Sequence, residues 1–291
     1  MWFFLKNNKK SIIENSFLLM PSFFIVFSIT AYVLVNTFIE SLGLIPELFL
    51  NEITLKHYVK LMGDRVFLEG FLFSIMVALI STTISIATGT YLSYVFSRKK
   101  RGLAVSMYKY PILLSYIAAA VLIYNTYSDR GLIYHIALIL GMDIGPLDII
   151  YNSKGIAVII LNIFKGIPFV AFSLYPIFLK TDSEYRETAK NLGCTDARYV
   201  YKILLPLCRH SILTSFLVIF NYNLFSYEGY YFLGPSTPIS IGVLAYNSYI
   251  NSDLLFRASS MAINFVMMSV SIILCVVFYK SLKQTKKGTS L

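Results

Sequence analysis

The stretch Lys180–His210 reads KTDSEYRETAKNLGCTDARYVYKILLPLCRH, a long hydrophilic connection between two long apolar runs. Thr181 and Glu184 have the spacing of a capping box, in which hydroxyl and carboxylate satisfy free N–H groups of a first helical turn. A helix is therefore expected to start at Thr181 and to run through Tyr185, Arg186, Glu187, Thr188, Ala189 and Leu192. Gly193 tolerates the left-handed backbone that ends many helices. Thr195 and Asp196 offer a second N-cap, and a second helix over Ala197–Leu205 is expected to stop near Pro206. The connection reads as helix, sharp bend, helix.

On either side of it lie apolar stretches long enough to cross a bilayer, about 20 residues for about 30 Å of hydrocarbon. Six are expected: Phe17–Ile39, Leu68–Phe96, Leu103–Tyr127, Gly155–Leu179, Ser211–Leu233 and Leu254–Tyr279. Backbone polar groups in lipid must pair within the segment, so these are helices, and the fold class is an all-α polytopic membrane bundle. The first stretch follows a basic N-region, but its apolar core is too long for a secretory signal and no small-x-small cleavage site follows it. Lys and Arg are retained on the cytoplasmic side, and seventeen of the 25 fall on one face against five on the other, which predicts both termini inside. The expected organisation is a cytoplasmic segment 1–16, a six-helix domain 17–280 whose inner loop is 180–210, and a basic cytoplasmic tail 281–291. Among the outer loops, Ile133–Leu140 reads as a short interfacial helix.

Composition agrees with a lipid solvent. The 291 residues are 57% hydrophobic and only 14% charged, with a mean hydropathy of +0.68. A soluble domain has roughly 45–50% apolar and 25% charged residues, and a disordered chain has the opposite balance. The net charge of +10 sits between apolar stretches rather than on one soluble face, so it does not point to nucleic acid. Cys194, Cys208 and Cys275 have no metal-ligand spacing, and His57, His135 and His210 form no pair on one helical face, so no metal site is expected. No phosphate-binding G-x-x-x-x-G-K-[ST] run occurs, and no loop is large enough for a separate domain. If transport here needs ATP, another chain supplies it.

Glu187-Thr188-Ala189, three residues, Gly193, nine residues, then Ile203-Leu204-Leu205-Pro206 resembles the E-A-A-x3-G-x9-I-x-L-P loop of binding-protein-dependent ABC importer permeases. It also lies before the last two expected spans, where that family carries it. Thr188 stands where the family usually has Ala. The resemblance implies a permease subunit of the cell membrane, without catalytic residues or a cofactor of its own. Its bent loop would lie in a groove on a cytoplasmic ATPase, and a dimer of that ATPase would bind ATP and Mg. Glu184, Glu187, Thr188, Ala189 and Gly193 would form the docking elbow, with Ile203, Leu205 and Pro206 packing the second helix against the bundle. A second permease subunit, related or identical, and an extracytoplasmic solute-binding protein are the further partners implied. The segments Tyr230–Gly234, Pro235–Pro238, Ile241–Tyr246 and Asn251–Ala258 are similar to the ends of polyamine, phosphonate and iron or thiamine permeases, so the substrate leaning is polyamine or phosphonate. Sugar permeases share the architecture.

Ionisable groups inside spans are costly and often functional. Lys165, about ten residues into the fourth stretch, and Glu228, near the outer end of the fifth, are candidates for the translocation path; a structural pairing of Lys165 weighs equally. For Lys109 and Arg257, near span ends, snorkelling or a structural pair is preferred. Tyr222, Phe225, Tyr227, Tyr230, Tyr231 and Phe232 gather near the outer boundary, where interfacial anchoring is the ordinary role of tyrosine and a cation cage the rarer one. An ion-coupled secondary transporter is the alternative function, but matched Gly- or Pro-broken halves are not evident. A membrane enzyme would need clustered acid–base or nucleophilic groups at one depth, and none stands out.

Overall fold

The computed structural model describes residues 2–45, 53–98, 110–142, 145–253 and 256–287, with side chains between 20 and 280. Among these residues the regular structure is helical: α1 Trp2–Ser41, α2 Lys56–Gly63, α3 Arg65–Arg98, α4 Tyr110–Leu113, α5 Tyr116–Tyr127, α6 Leu132–Ile139 and α7 Ile156–Asn191. After α7 come α8 Asp196–Phe225, α9 Glu228–Leu233, α10 Ile241–Tyr249 and α11 Phe256–Lys287. Five stretches are long and apolar enough to cross a membrane: Met20–Ser41 of α1, α3, α7, α8 and Phe256–Lys280 of α11. Of the expected third span, Leu103 to Lys109 lie outside the described residues, and the remainder is α4 and α5 with a break at Leu114 and Ser115. Ser115 is extended and its hydroxyl accepts from the Ala118 N–H at 3.1 Å, which starts α5 afresh. The expected interfacial helix is α6. Lys109 and the last four residues of the expected basic tail also lie outside the described residues.

The chain divides into two compact units. One comprises Met1–Leu61 and Ser248–Val266. In it Phe38 packs on Phe265 with ring centroids 4.9 Å apart, and Arg257 pairs with the buried Glu40 at 3.3 Å. Arg257 is thus held by a structural pair. His57 Nδ1 lies 3.3 Å from Ser259 Oγ, and burial, then the nearby Lys60 charge, pushes the imidazole below its ordinary pKa.

The other unit comprises Met62–Asn247 and Met267–Leu291, and its frame is α3 against α7. Small residues let these helices approach closely, as helices without a hydrophobic driving force between them require. A Cβ on Gly166 would lie 2.5 Å from Ser85 Oγ, and Ser93 Oγ donates to the Ala171 carbonyl at 3.0 Å. From α8, Asn223 Nδ2 donates to Ser81 Oγ at 3.1 Å and Thr82 Oγ1 at 3.2 Å. Two apolar cores flank this frame. Phe73, Val77, Leu161, Tyr230 and Leu233 form one, while Leu174, Phe178, Tyr199, Leu204 and Cys208 form the other.

Three expected helix boundaries are corrected. No helix starts at Thr181, because α7 runs unbroken from Ile156 to Asn191. A capping box acts only where the chain enters a helix, and at Thr181 the preceding turns already occupy the N–H groups. Its hydroxyl instead lies 3.7 Å from Cys208 Sγ, and its carbonyl accepts from the Tyr199 hydroxyl at 3.5 Å. Nor does Pro206 stop the second helix. A π turn over Val200–Leu204 precedes it, with the Leu205 N–H reaching the Val200 carbonyl. That widened turn relieves the clash between a proline ring and the carbonyl four residues back, so α8 continues to Phe225. The fifth expected span in turn ends at Phe225 rather than Leu233. Ser226 is extended there, and the separate α9 buries Tyr230 and Leu233 in the first core.

Candidate functional site: an elbow and a cavity

The elbow between α7 and α8 is built by local chemistry. Gly193 has φ +74, the Cys194 N–H bonds the Ala189 carbonyl at 2.9 Å and the Gly193 N–H bonds that of Lys190 at 2.9 Å. This is the Schellman arrangement that closes a helix through a left-handed residue. Thr195 caps α8 by accepting from the Arg198 N–H at 3.4 Å. Asp196 Oδ1 then ties the elbow to two helices, pairing with Arg98 Nη2 of α3 at 2.5 Å and with Arg186 Nη2 of α7 at 3.6 Å. Arg186 also pairs with the nearly buried Asp182 at 3.2 Å.

Among the expected docking residues, Glu184, Glu187, Thr188 and Gly193 are exposed and Ala189 is buried in the second core. Ile203 and Leu205 are half-buried against that core, and Pro206 is exposed. The reading of the sequence passed over the residues that seat α8 most deeply, Tyr199 and Leu204, which are 2% and 0% exposed. It also missed Leu192 and Tyr201, apolar side chains left 82% and 74% exposed beside the elbow. The position of Leu192 immediately before the helix-ending glycine was the available signal.

Away from the elbow, α4, α5, α7, α8 and the start of α9 line a cavity of about 440 Å³. Lys165 and Glu228 both line it, together with Tyr116, Asn162 and Tyr222. The Lys165 ammonium donates to the carbonyls of Pro111, Ile112 and Leu114 at 2.8, 3.3 and 2.6 Å. These carbonyls are freed by the break between α4 and α5, so the lysine occupies all three of its donors on backbone oxygens. Its nitrogen also lies 5.8 Å from the Tyr116 ring centroid. The Tyr116 hydroxyl donates to Asn162 Oδ1, and the Tyr116 and Tyr222 rings stand 5.3 Å apart. Among the described residues no group of His, Cys, Asp and Glu is placed to hold a metal ion.

Several long apolar helices, close small-residue packing and a capped elbow between two of the helices define a multi-pass membrane protein. The chain belongs to the family of binding-protein-dependent transport system inner membrane components, whose profile matches residues 110–287 and so includes both the elbow and the cavity. It is 29% identical over 159 residues to the sulfate transport system permease protein CysW of Synechocystis sp., covering 54% of this chain and 55% of that protein. To the spermidine/putrescine transport system permease protein PotB of Escherichia coli it is 24% identical over 206 residues, covering 67% of this chain and 74% of that protein. The chain thus spans about half the length of CysW. In fold it is similar to a bacterial ABC transporter involved in the import of the acidic polysaccharide alginate, with a TM-score of 0.72 over 97% of this chain and 98% of that one at 15% identity.

Proposed function

We propose that this chain is the permease subunit of an ABC importer, providing the translocation path for a small solute while a separate subunit hydrolyses ATP. The observation that carries the reading is the family match over a region containing the Gly193 elbow, whose exposed Glu187, Leu192 and Tyr201 flank a backbone turn fixed by Schellman bonds. A helix end presented in this way suits a groove on a partner. The partners are an ATPase dimer carrying ATP and Mg, a second permease subunit of the same or a related chain, and an extracytoplasmic solute-binding protein. The proposed topology is six spans with both termini cytoplasmic, the basic segments 1–16 and 281–291 flanking the domain 17–280 and the elbow facing the cytoplasm. Lys165 and Glu228 belong to the path through the cavity they line, and the solute is small and polar, of polyamine or phosphonate type.

Affinity isolation of the tagged chain from mildly solubilised native membranes tests this, beside Gly193→Pro at equal expression. The expected result is an ATPase that accompanies the native chain and is lost from the variant. A native chain that brings down no ATPase in several detergents would overturn the reading in favour of ion-coupled transport.

A further inference from the structure

The two charges of the cavity are not equivalent. The Lys165 ammonium has all three donors on the carbonyls of Pro111, Ile112 and Leu114, so it presents a field to the cavity but no free N–H. Glu228 is half-buried at the cavity wall, and its carboxylate makes no hydrogen bond or ion pair among the described residues. Asn162 is 1% exposed; its Oδ1 is taken by the Tyr116 hydroxyl, and its Nδ2 has no partner among the described residues. A buried amide N–H without an acceptor is uncommon and costs about 1–3 kcal/mol, and this one belongs to a residue that lines the cavity.

Building on the permease reading, and narrowing its polyamine-or-phosphonate leaning away from the polyamines, we infer that this cavity binds a zwitterion, an ammonium and an oxyanion joined by a short chain. The ammonium meets the Glu228 carboxylate, with Tyr222 and Tyr116 lining the same cavity. The oxyanion lies in the field of Lys165, and the covered Asn162 side chain turns to donate its Nδ2 to it. The formal charges of the wall cancel, so a ligand whose own charges cancel enters a poorly solvating site without leaving a net charge behind. A simple dianion finds the lysine donors occupied and faces Glu228. A diamine finds Glu228 but carries its second charge towards Lys165. A sugar donates hydroxyls to the carboxylate but brings it no opposite charge.

Direct binding to the full chain in lipid nanodiscs decides this. The chain is prepared without a solute-binding protein, whose own site would otherwise report. The probes are β-alanine, taurine and 2-aminoethylphosphonate as zwitterions; propionate, ethanesulfonate and sulfate as anions; propylamine and putrescine as cations; and maltose as a neutral sugar. At least one zwitterion is expected to bind about tenfold or more tighter than every probe lacking either charge, a comparison that needs no variant. Glu228→Gln and Asn162→Leu are each expected to weaken that zwitterion about tenfold, while Glu228→Gln leaves the melting temperature of the unliganded chain in place. Equal or tighter binding of sulfate, putrescine or maltose overturns the inference, as does binding of none of the probes. Because no ATP or ATPase enters this measurement, such a failure is separate from a failure to recover the ATPase, which strikes the permease reading alone.

Discussion

The Lys165 ammonium donates to the Leu114 carbonyl at 2.6 Å, joining α7 to the break between α4 and α5. With the Pro111 and Ile112 carbonyls also on the same nitrogen, one side chain closes the open end of a short helix. Lys165→Met leaves three backbone acceptors unpaired and is expected to cost about 2 kcal/mol, since hydrogen bonds to charged groups contribute about 1.5–3 kcal/mol. Thermal unfolding of the purified chain reads this. Unchanged stability would assign those carbonyls to other donors.

At the elbow, Gly193 has open space where a Cβ would go, so substitution there is opposed by its φ of +74 and not by a neighbour. Gly193→Ala is expected to cost about 1–2 kcal/mol and Gly193→Asn less, because asparagine visits the left-handed region more readily. Hydrogen exchange at the Cys194 amide, which bonds Ala189, should accelerate in that order. Equal protection in all three proteins would contradict it.

Gly166 of α7 packs so closely on Ser85 of α3 that a Cβ there would lie 2.5 Å from Ser85 Oγ. Gly166→Ala forces the helices apart, and an overpacked site of this kind costs about 1–3 kcal/mol. Ser85→Gly in the same chain removes the atoms that clash and is expected to restore most of the loss. A double variant no more stable than the sum of the single effects would show the two sites to be independent.

Asp196 links the elbow to α3 through Arg98 and to α7 through Arg186. Arg98→Ala is expected to increase amide exchange through Thr195–Tyr199 while leaving the fold intact, and elevated salt should mimic part of the effect on the native chain. Insensitivity to both changes would reduce the pair to a surface ornament.

His57 is held below its ordinary pKa by burial and by the nearby Lys60 charge. The folded chain therefore binds this proton less readily than the unfolded chain does. The stability tied to neutral His57 is present above about pH 6.5 and is lost as pH falls through the folded-state value. The melting temperature should drop less between pH 7.5 and 5.5 in His57→Gln than in the native chain. An identical drop would place the pH dependence elsewhere.

The elbow was legible because its signals are local. Gly193 takes its left-handed backbone and Thr195 caps α8 through atoms no more than five residues apart, so the sequence is sufficient for both. Thr181 and Pro206 carried signals of the same kind, yet α7 passes through the one and α8 through the other. A cap needs unpaired N–H groups, and a proline break needs a turn that cannot widen. Here the turns preceding Thr181 and the π turn preceding Pro206 remove those conditions.

By itself the sequence determined that the chain is helical and apolar, where its elbow lies, and that Lys165 is a charge within a long apolar stretch. Chain length, hydropathy and the cost of a charge in lipid act on each segment separately. Only the tertiary structure decided that Lys165 and Glu228 line one cavity with Tyr116, Asn162 and Tyr222, that Lys165 is occupied by the carbonyls of a broken helix, and that Glu228 makes no hydrogen bond or ion pair among the described residues. Those facts depend on groups 46 residues or more apart in the chain meeting in space, and the partner of a charge is set by packing rather than by its neighbours in sequence.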